Sequence, residues 1–260
     1  MKFQLLKAFS IGIAATTACT LLSMFPVGTS ASDNMTADEI TKEMSIGWNI
    51  GNSLDANGVS PSHEQSWGNP TITKELIDTV KAKGFNTIRI PTTWYTEVVT
   101  SKDENGNPVY TINEKWLARV KEVVDYCYDN DMYVILNLHH EEWINRPDFP
   151  TAYKEMSVRL KQMWTQIATY FKDYDQHLIF EGMNEPRQTG VSWEWQGTTE
   201  CFEVVNKLDN DFIETVRSID SPYRDTRLLM VPAYAASGYA SAYSYLDIPD
   251  CLLYTSDAAD

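Results

Sequence analysis

The chain is poor in basic residues and in cysteine. Its 260 residues include 21 Lys and Arg against 36 Asp and Glu, and its four cysteines form no CxxC pair. A surface this acidic repels nucleic acid and anionic lipid, so we expect neither as a partner. So few cysteines cannot build a dense disulfide framework, and core packing must hold the fold. Composition leaves an isolated Cys127–Cys201 bridge open.

Long apolar runs are also scarce, and the clearest one lies at the N-terminus. Lys2 and Lys7 introduce an apolar stretch over residues 8–25, and small residues follow up to Ala31. This pattern is typical of a secretory signal, which predicts cleavage after Ala31, export, and no membrane attachment of the mature chain. A lipoprotein through Cys19 and a membrane anchor fit less well. Losing the two lysines leaves 19 basic against 36 acidic residues, a formal charge of −17.

What is present is an alternation of strand-type and helix-type apolar patterns. The strand-like segments start near residues 45, 86, 132, 178 and 227. Strict alternation of this kind predicts parallel βαβ units, so the fold class is α/β. Eight such units would need roughly 380 residues, so the pattern fits either an open sheet of five or six strands or a (β/α)8 barrel cut short. The amphipathic helices fall around residues 72–80, 116–127, 156–167 and 202–216.

The strand-like run at residues 178–183 ends in the tripeptide Asn184-Glu185-Pro186. Because Pro186 cannot donate to a sheet ladder, Asn184 and Glu185 are expected at the carboxyl end of the strand, where parallel α/β proteins place their chemistry. A carboxyl group beside an amide suits protonation of a glycosidic oxygen while the amide holds a sugar hydroxyl. The alternative is an ordinary turn that closes the strand.

Three earlier strands also end in polar residues. Asn49 ends the first, Arg89 lies near the end of the second, and His139 and His140 end the third. Four such ends on successive strands predict one shared site. Adjacent histidines on a strand point to opposite faces, so we expect no metal site, and no cofactor is implied.

Arg89 stands between Ile88 and Ile90, which have the character of buried strand residues. An arginine in such a strand is nearly impossible to bury unpaired. We therefore expect its guanidinium to face a carboxylate, with Glu181 and Glu185 as the candidates.

Tryptophans are concentrated outside the helical stripes. Trp116 and Trp164 fall on helix stripes and are expected in the core. The other six fall at strand ends or in loops and predict an aromatic-lined cleft, since sugar rings stack on indole faces. These six are Trp48, Trp67, Trp94, Trp143, Trp193 and Trp195.

Five motifs carry a resemblance to a known family. They are Gly47-Trp-Asn-Ile-Gly-Asn-Ser-Leu-Asp55, Trp67-Gly-Asn-Pro70, Ile88-Arg-Ile-Pro91, Leu136-Asn-Leu-His-His-Glu141 and Phe180-Glu-Gly-Met-Asn-Glu-Pro186. In order and spacing they resemble glycoside hydrolase family 5 over about residues 44–250, near the branch of bacterial cellulases, lichenases and xyloglucanases. The resemblance implies a (β/α)8 barrel and a retaining mechanism with two glutamates roughly 5 Å apart.

The same resemblance assigns roles residue by residue. Glu185 resembles the family's acid/base, and Asn184 resembles the amide that binds the sugar 2-hydroxyl. Arg89 resembles the guanidinium that steers the nucleophile, and His139 resembles the family's strand-three histidine. Four further positions are expected to contact substrate, namely His140, Asn49, Trp67 and Trp143.

The function implied is a secreted endo-β-1,4-glucanase acting on cellulose or related β-glucans. Xyloglucan, mixed-linkage glucan and mannan stay open as substrates, because loop aromatics set that choice. A non-catalytic carbohydrate-binding barrel and a metal-dependent hydrolase are the alternatives from other classes. The joint presence of Arg89, His139, Asn184 and Glu185 counts against the non-catalytic alternative.

Two expectations concern the ends of the chain. The family's sixth-strand His-x-Tyr motif, nucleophilic glutamate and eighth-strand tryptophan would lie beyond residue 250, so residues 32–250 are expected to be the N-terminal part of a catalytic barrel that is inactive by itself. Accessory modules could follow. Residues 251–260 show no periodicity, and we hypothesise that they are a non-native tail.

Overall fold

A computed structural model describes residues 35–58, 63–247 and 253–255. The expected signal segment, residues 1–31, lies outside the described residues, as does most of the expected tail. The helices described are α1 (Ala37–Met44), α2 (Lys74–Ala82), α3 (Glu114–Tyr128), α4 (Tyr153–Tyr170), α5 (Thr199–Ser218) and α6 (Ala240–Tyr243). The strands described are β1 (Gly47–Asn49), β2 (Thr87–Ile90), β3 (Val98–Lys102), β4 (Pro108–Ile112), β5 (Tyr133–Asn137), β6 (Leu178–Glu181), β7 (Leu229–Pro232) and β8 (Leu253–Thr255).

Six of these strands form one parallel sheet in the order β1-β2-β5-β6-β7-β8. Parallel α/β winding was predicted and is confirmed. The strand order follows the chain without a reversal, which is the winding of a barrel rather than of a doubly wound sheet. Strand β8 lies in the expected tail, where the sequence pattern predicted no strand, and the non-native origin of that tail stays a hypothesis.

The sheet face opposite α3, α4 and α5 has two layers of side chains. Toward the amino ends of the strands the layer is apolar and packs against Ile40 and Met44 of α1. Toward the carboxyl ends, the same alternation places Arg89, Asn137 and Glu181. Helix α1 therefore covers the amino ends, and the polar layer is left at the other end. The apolar layer contains Tyr133, Ile135, Ile179, Leu228 and Met230.

The helices begin where capping residues allow. Thr36 caps α1 in a reciprocal capping box with Glu39. The apolar stripes expected on α3, α4 and α5 are buried. Helix α2 starts later than the expected range of residues 72–80, because Thr73 caps it and Ile72 precedes it. Leu76 in its first turn is 42% exposed.

The segment between β2 and α3 contains a feature that the apolar pattern did not predict. Strands β3 and β4 form an antiparallel hairpin there. Its loop is closed by the Asp103 carboxylate, which accepts from the Asn105 and Asn107 N–H groups, and by Gly106 at φ 82°. An Asn-Gly pair between two β-branched runs is a hairpin signal that the strand–helix alternation masked.

The two described cysteines do not form the bridge that composition left open. Cys127 and Cys201 are both buried free thiols. Burial raises the pKa of Cys127 to about 12, so its thiol stays protonated and unreactive. Core packing, not a Cys127–Cys201 bridge, therefore holds this part of the chain. Within the described residues, no helix is both long and apolar enough to span a bilayer.

Candidate active site

The polar layer at the carboxyl ends of the strands is organised around Arg89. Its Nε and Nη2 atoms donate to the two Glu181 carboxylate oxygens, both at 2.7 Å. Nη2 also donates to Asn184 Oδ1 at 2.8 Å, and Nη1 donates to Asn49 Oδ1 at 3.1 Å. One guanidinium thus ties the ends of β1, β2 and β6 together. Of the two candidate carboxylates, Glu181 forms a bidentate ion pair with Arg89.

Asn184 and Glu185 lie just past the carboxyl end of β6. The strand ends at Glu181, two residues earlier than the apolar run suggested. A Cβ at Gly182 would lie 2.7 Å from Phe212 Cδ1, so only glycine lets the chain pass α5 this closely. Asn184 is buried, and the bond from Arg89 to its Oδ1 leaves its Nδ2 as the donor that can face a ligand.

Glu185 forms an ion pair with a residue that sequence reasoning did not single out. Arg187 Nη1 donates to Glu185 Oε2 at 3.1 Å and to the Glu185 carbonyl oxygen at 3.1 Å. The side chain of Glu185 is about a quarter exposed, at 24%. A carboxyl group at a strand end, partly open to solvent and beside a cation, can exchange a proton with a ligand in the cleft.

His139 is held in one tautomer. The Thr92 N–H donates to Asn137 Oδ1 at 3.1 Å, which turns Asn137 Nδ2 toward His139 Nδ1 at 3.0 Å. The Nδ1 atom therefore accepts, and Nε2 carries the proton. Burial, followed by the charge of Arg89 and by His140, lowers the pKa of His139 to about 2. His139 is thus a neutral hydrogen-bond donor across the working pH range.

The two histidines share one face, contrary to the expectation that they point apart. His139 Nε2 and His140 Nε2 are each 3.9 Å from Asp55 Oδ2. Strand β5 ends at Asn137, so the pleat that would separate the two side chains no longer applies. Burial lowers the pKa of His140, and the Asp55 carboxylate opposes that shift.

Asp55, His139 and His140 place ligand-type atoms within 4.8 Å of one another. The donor set nevertheless fits a metal ion poorly. A cation at His139 Nε2 would have to displace the proton that Asn137 fixes there. The group is better suited to hydrogen bonding with a polar ligand.

Trp67 lies beside His140 on the rim of the site. Its ring centroid is 5.4 Å from the His140 ring, and the indole is 45% exposed. Asn69 anchors this loop, because its Nδ2 donates to the Asn52 carbonyl at 2.9 Å and to the Gly51 carbonyl at 3.3 Å. Trp67 therefore presents a supported, open aromatic face.

Trp143, expected to contact substrate, is instead buried. It is 8% exposed, and its indole N–H donates to the Glu141 carboxylate. The Arg159 guanidinium lies 5.0 Å from its ring centre. Glu141 also accepts from the Trp94 N–H at 2.7 Å, and burial raises the pKa of this carboxyl. Trp143 and Trp94 thus support the site from below and offer no open face for a sugar.

Fewer than the six predicted tryptophans are therefore available to line an aromatic cleft. Trp94 and Trp143 are buried, while four remain open. Trp48 lies in β1 and packs edge-on against Phe85, with the ring centres 5.3 Å apart, so it is not one of the loop tryptophans. Trp116 and Trp164 are buried on their helices, as predicted. The open loop tryptophans are Trp67, Trp193 and Trp195.

Sequence reasoning missed four residues that shape this site. Asp55 and Glu141 each lie in one of the five motifs. The signal available in the sequence was an acidic residue that could accept a hydrogen bond from a nearby histidine or tryptophan N–H. Arg187, directly after Pro186, carried the signal of a cation beside a candidate acid. Asn137 was read as part of the strand, and its effect on the His139 tautomer becomes visible only from the Thr92 contact.

Comparison with known proteins supports the family that the motifs suggested. A family model described as cellulase (glycosyl hydrolase family 5) matches residues 50–256. The chain belongs to glycoside hydrolase family 5. The prediction of a partial (β/α)8 barrel is confirmed by this match together with the parallel sheet.

Similar proteins in this family carry endoglucanase names. Endoglucanase A of Clostridium longisporum is 46% identical over 263 residues, which cover 96% of this chain and 48% of that protein. A solved structure of a GH5-4 broad specificity endoglucanase from Ruminococcus flavefaciens is 53% identical with a TM-score of 0.78, covering 85% of this chain and 63% of that one.

A second solved structure is a xyloglucan-specific endo-β-1,4-glucanase of family 5 from a metagenomic library, in complex with cellotriose. It is 41% identical with a TM-score of 0.77, covering 84% of this chain and 63% of that one. The chain thus spans about half the length of the curated relative and less than two thirds of these structures.

Proposed function

We propose that the whole protein is a retaining endo-β-1,4-glucanase in which Glu185 is the general acid/base. The observation that carries this proposal is the Arg89 network, because it fixes Asn184 directly beside Glu185 at the carboxyl end of β6. An oriented amide next to a partly exposed carboxyl group is the pair that cleavage of a glycosidic bond requires.

Glu185 would act in both halves of the reaction. In the first, its protonated carboxyl donates to the glycosidic oxygen as the bond to the anomeric carbon breaks. In the second, its carboxylate takes a proton from the water that attacks that carbon. Its partly exposed side chain leaves room for both the leaving sugar and the water to reach it.

Asn184, Arg89 and His139 would hold the sugar next to the cleavage point. The Asn184 Nδ2 donor is oriented for a ring hydroxyl, since Oδ1 is bonded to Arg89. His139 presents Nε2–H and cannot become charged at the pH of the reaction. Both are preorganised donors, so little reorganisation is needed when charge develops on the sugar.

The remaining expected contacts supply the rest of the substrate cleft. We propose stacking of a sugar ring on Trp67 and hydrogen bonding to His140, which lies against it. Asn49 acts through its bond to Arg89. A substrate role for Trp143 is not proposed, because the ring is buried.

The second carboxylate of the mechanism is proposed to lie in a later βα unit of the whole protein. Glu181 is a poor nucleophile, because both of its oxygens are bonded to Arg89 and its side chain is only 4% exposed. The chain of residues 32–250 alone is therefore expected to release no reducing sugar from carboxymethylcellulose. We also propose that the protein is exported after cleavage of its N-terminal signal, as the residue pattern predicts.

Related β-glucans are a second candidate substrate class. One similar structure is described as xyloglucan-specific and another as a broad specificity endoglucanase. Initial rates of the whole protein on carboxymethylcellulose, barley β-glucan, xyloglucan and mannan would rank them. A protein that binds these polymers without releasing reducing ends would instead be a carbohydrate-binding barrel.

The test of the proposal is Glu185→Gln in the whole protein. We expect the rate on polysaccharide to fall by at least about a thousandfold, while an aryl cellobioside with a good leaving group still gives a burst of phenol. Glu203→Gln, on the exposed side of α5, is the matched control and should keep the parent rate. Parent-like hydrolysis of polysaccharide by Glu185→Gln would refute the role of Glu185.

A further inference from the structure

Arg187 is bound on three sides. Its Nη1 donates to Glu185, and its Nε donates to Glu194 Oε1 at 3.1 Å. The guanidinium carbon lies 4.3 Å from the centre of the Trp195 ring, a cation–π geometry. Only 16% of the Arg187 side chain is exposed. One guanidinium is thus shared between two carboxylates and supported by an indole.

The clamp around Arg187 is itself fixed to the loops. Glu194 Oε2 accepts from the Gly190 N–H at 3.0 Å, and the Glu194 carbonyl accepts from the Tyr234 hydroxyl at 2.8 Å. The Arg187 N–H donates to Asn145 Oδ1 at 3.2 Å. The loops after β5, β6 and β7 therefore brace the arginine. Such support is what a charge must have if it is to act at one defined place.

Other charged and titratable groups also surround this end of the sheet. Arg187 acts electrostatically on His140 and Tyr234. Arg89 is already bonded to Glu181, and His139 stays neutral. Arg187 is a cation that bonds directly to the Glu185 carboxylate. Within the described residues, this neighbourhood also includes Asp55, Glu181, Glu194 and Cys201.

We propose that Arg187 is a positioning residue for Glu185, and that its division between Glu185 and Glu194 sets how strongly the acid/base holds its proton. The proposal rests on the proposed function, because it assigns a partner to the acid/base. Glu185 must be protonated in the first half of the reaction and ionised in the second. If Arg187 bonded to Glu185 alone, it would stabilise the carboxylate and hinder the first half, in which Glu185 must be protonated. The bond from Arg187 to Glu194 weakens this effect.

The bond from Arg187 and the Gly190 N–H lower the pKa of Glu194, so Glu194 is a permanent anionic competitor. Removing the cation and removing the competitor should have opposite effects. Without Arg187 the carboxylate of Glu185 loses stabilisation, so the proton is released at higher pH. Without the charge of Glu194 the guanidinium turns fully to Glu185, so the proton is released at lower pH.

The alternative is that Arg187 only stabilises the loop. This structural role predicts that Arg187→Gln and Glu194→Gln both lower stability and rate without moving the pH profile. The direction of the pH shift separates the two roles, because loss of loop packing has no reason to reverse sign between the variants.

The experiment is the pH dependence of kcat/KM for Arg187→Gln, Arg187→Lys and Glu194→Gln in the whole protein, on uncharged barley β-glucan. The alkaline limb reports loss of the proton from the general acid. Arg187→Gln should move its midpoint up by about 0.5 to 1 pH unit, and Glu194→Gln should move it down by a similar amount. Arg187→Lys should keep the midpoint near that of the parent while lowering kcat, since it keeps the charge and loses the fork.

Arg146→Gln is the matched control. Arg146 lies in the neighbouring loop and also forms ion pairs with two carboxylates, those of Asp148 and of Glu155 in α4. Its midpoint should equal that of the parent. Shifts of the same sign, or none, in Arg187→Gln and Glu194→Gln would overturn the proposal for Arg187. The Glu185→Gln result judges the proposed function separately, since parent-like hydrolysis by that variant would remove the acid/base role itself.

Discussion

Arg89 and Glu181 form a bidentate ion pair across strands β2 and β6, with both N–O distances at 2.7 Å. The two residues lie on strands separated by β5, and both belong to the polar layer that closes the inner face of the sheet. Their pairing sets the position of Asn184, because the same Nη2 atom that contacts Glu181 also contacts the Asn184 amide.

Breaking this pair from either side is expected to destabilise the protein. Glu181→Gln removes the carboxylate charge that Arg89 contacts at a mostly buried position, a change that costs about 3 to 5 kcal/mol when pairs of this kind are broken. Urea unfolding of the whole protein measures it. Lys121→Gln, which removes the exposed pair with Asp125, is the control and should cost less than about 1 kcal/mol. Equal effects of the two changes would contradict the structural role of Arg89–Glu181.

His139 and His177 are expected to titrate in opposite directions. The pKa of His139 is lowered to about 2 by burial and Arg89, whereas the hydrogen bond that His177 donates to the Asp175 carboxylate raises the pKa of His177. Nitrogen-15 NMR of the imidazole rings should show His139 as the neutral Nε2–H tautomer down to about pH 4. It should show His177 mostly protonated at about pH 6.5, the pKa of an unperturbed histidine. An Nδ1–H signal for His139 would contradict the Asn137 contact.

The low pKa of His139 also has a consequence for stability. The unfolded chain binds a proton at this residue below about pH 6.5, but the folded protein does not until near its own pKa. The free energy of unfolding should therefore decrease as pH falls from 6.5 toward 2, and His139→Asn should reduce that decrease. Thermal unfolding at several pH values measures this, and a steeper acid dependence in His139→Asn would contradict it.

Trp67 and Trp143 are expected to behave differently when each is replaced by alanine. Trp67→Ala should raise the Kd for cellotriose by roughly 3- to 10-fold, about the worth of one aromatic contact, with little change in Tm, because the ring is open. Trp143→Ala should instead cost about 3 to 5 kcal/mol of stability, because it empties a buried site. Calorimetry of binding and of unfolding distinguishes them. A Trp143→Ala variant with parent stability and weakened binding would contradict the burial.

Cys127 and Cys201 should react as buried thiols. Iodoacetamide should modify neither in the native protein, and both should be alkylated after denaturation without reductant, as peptide mass mapping would show. The same map would detect a Cys127–Cys201 peptide pair if a bridge formed, and that pair would contradict the structure.

Much of the fold could be predicted from the apolar pattern, because helices that pack on a parallel sheet need an apolar stripe along their whole length. The stripes of α3, α4 and α5 and the parallel winding were predictable for that reason. The β3–β4 hairpin was not, since it is short, half exposed and set by turn residues. The exposure of Leu76 depends on where Thr73 starts α2, a one-residue choice that periodicity does not determine.

The site was predictable in its residue types and less so in its pairings. Strand-end positions identified Arg89, His139, Asn184 and Glu185, because each is an unusual residue for a buried strand. The bidentate pairing of Glu181 with Arg89 required three-dimensional distances. The common direction of His139 and His140 required knowing that β5 ends at Asn137.

The most direct test of the central claim is the product formed by the Glu185→Ala variant of the whole protein in the presence of azide. An aryl β-cellobioside with a good leaving group can still form the glycosyl-enzyme without an acid, and azide can enter where the Glu185 carboxylate stood. If Glu185 is the acid/base of a retaining enzyme, azide should restore turnover and give β-cellobiosyl azide. An α-azide would make Glu185 the nucleophile, and no rescue at all would contradict its role in proton transfer.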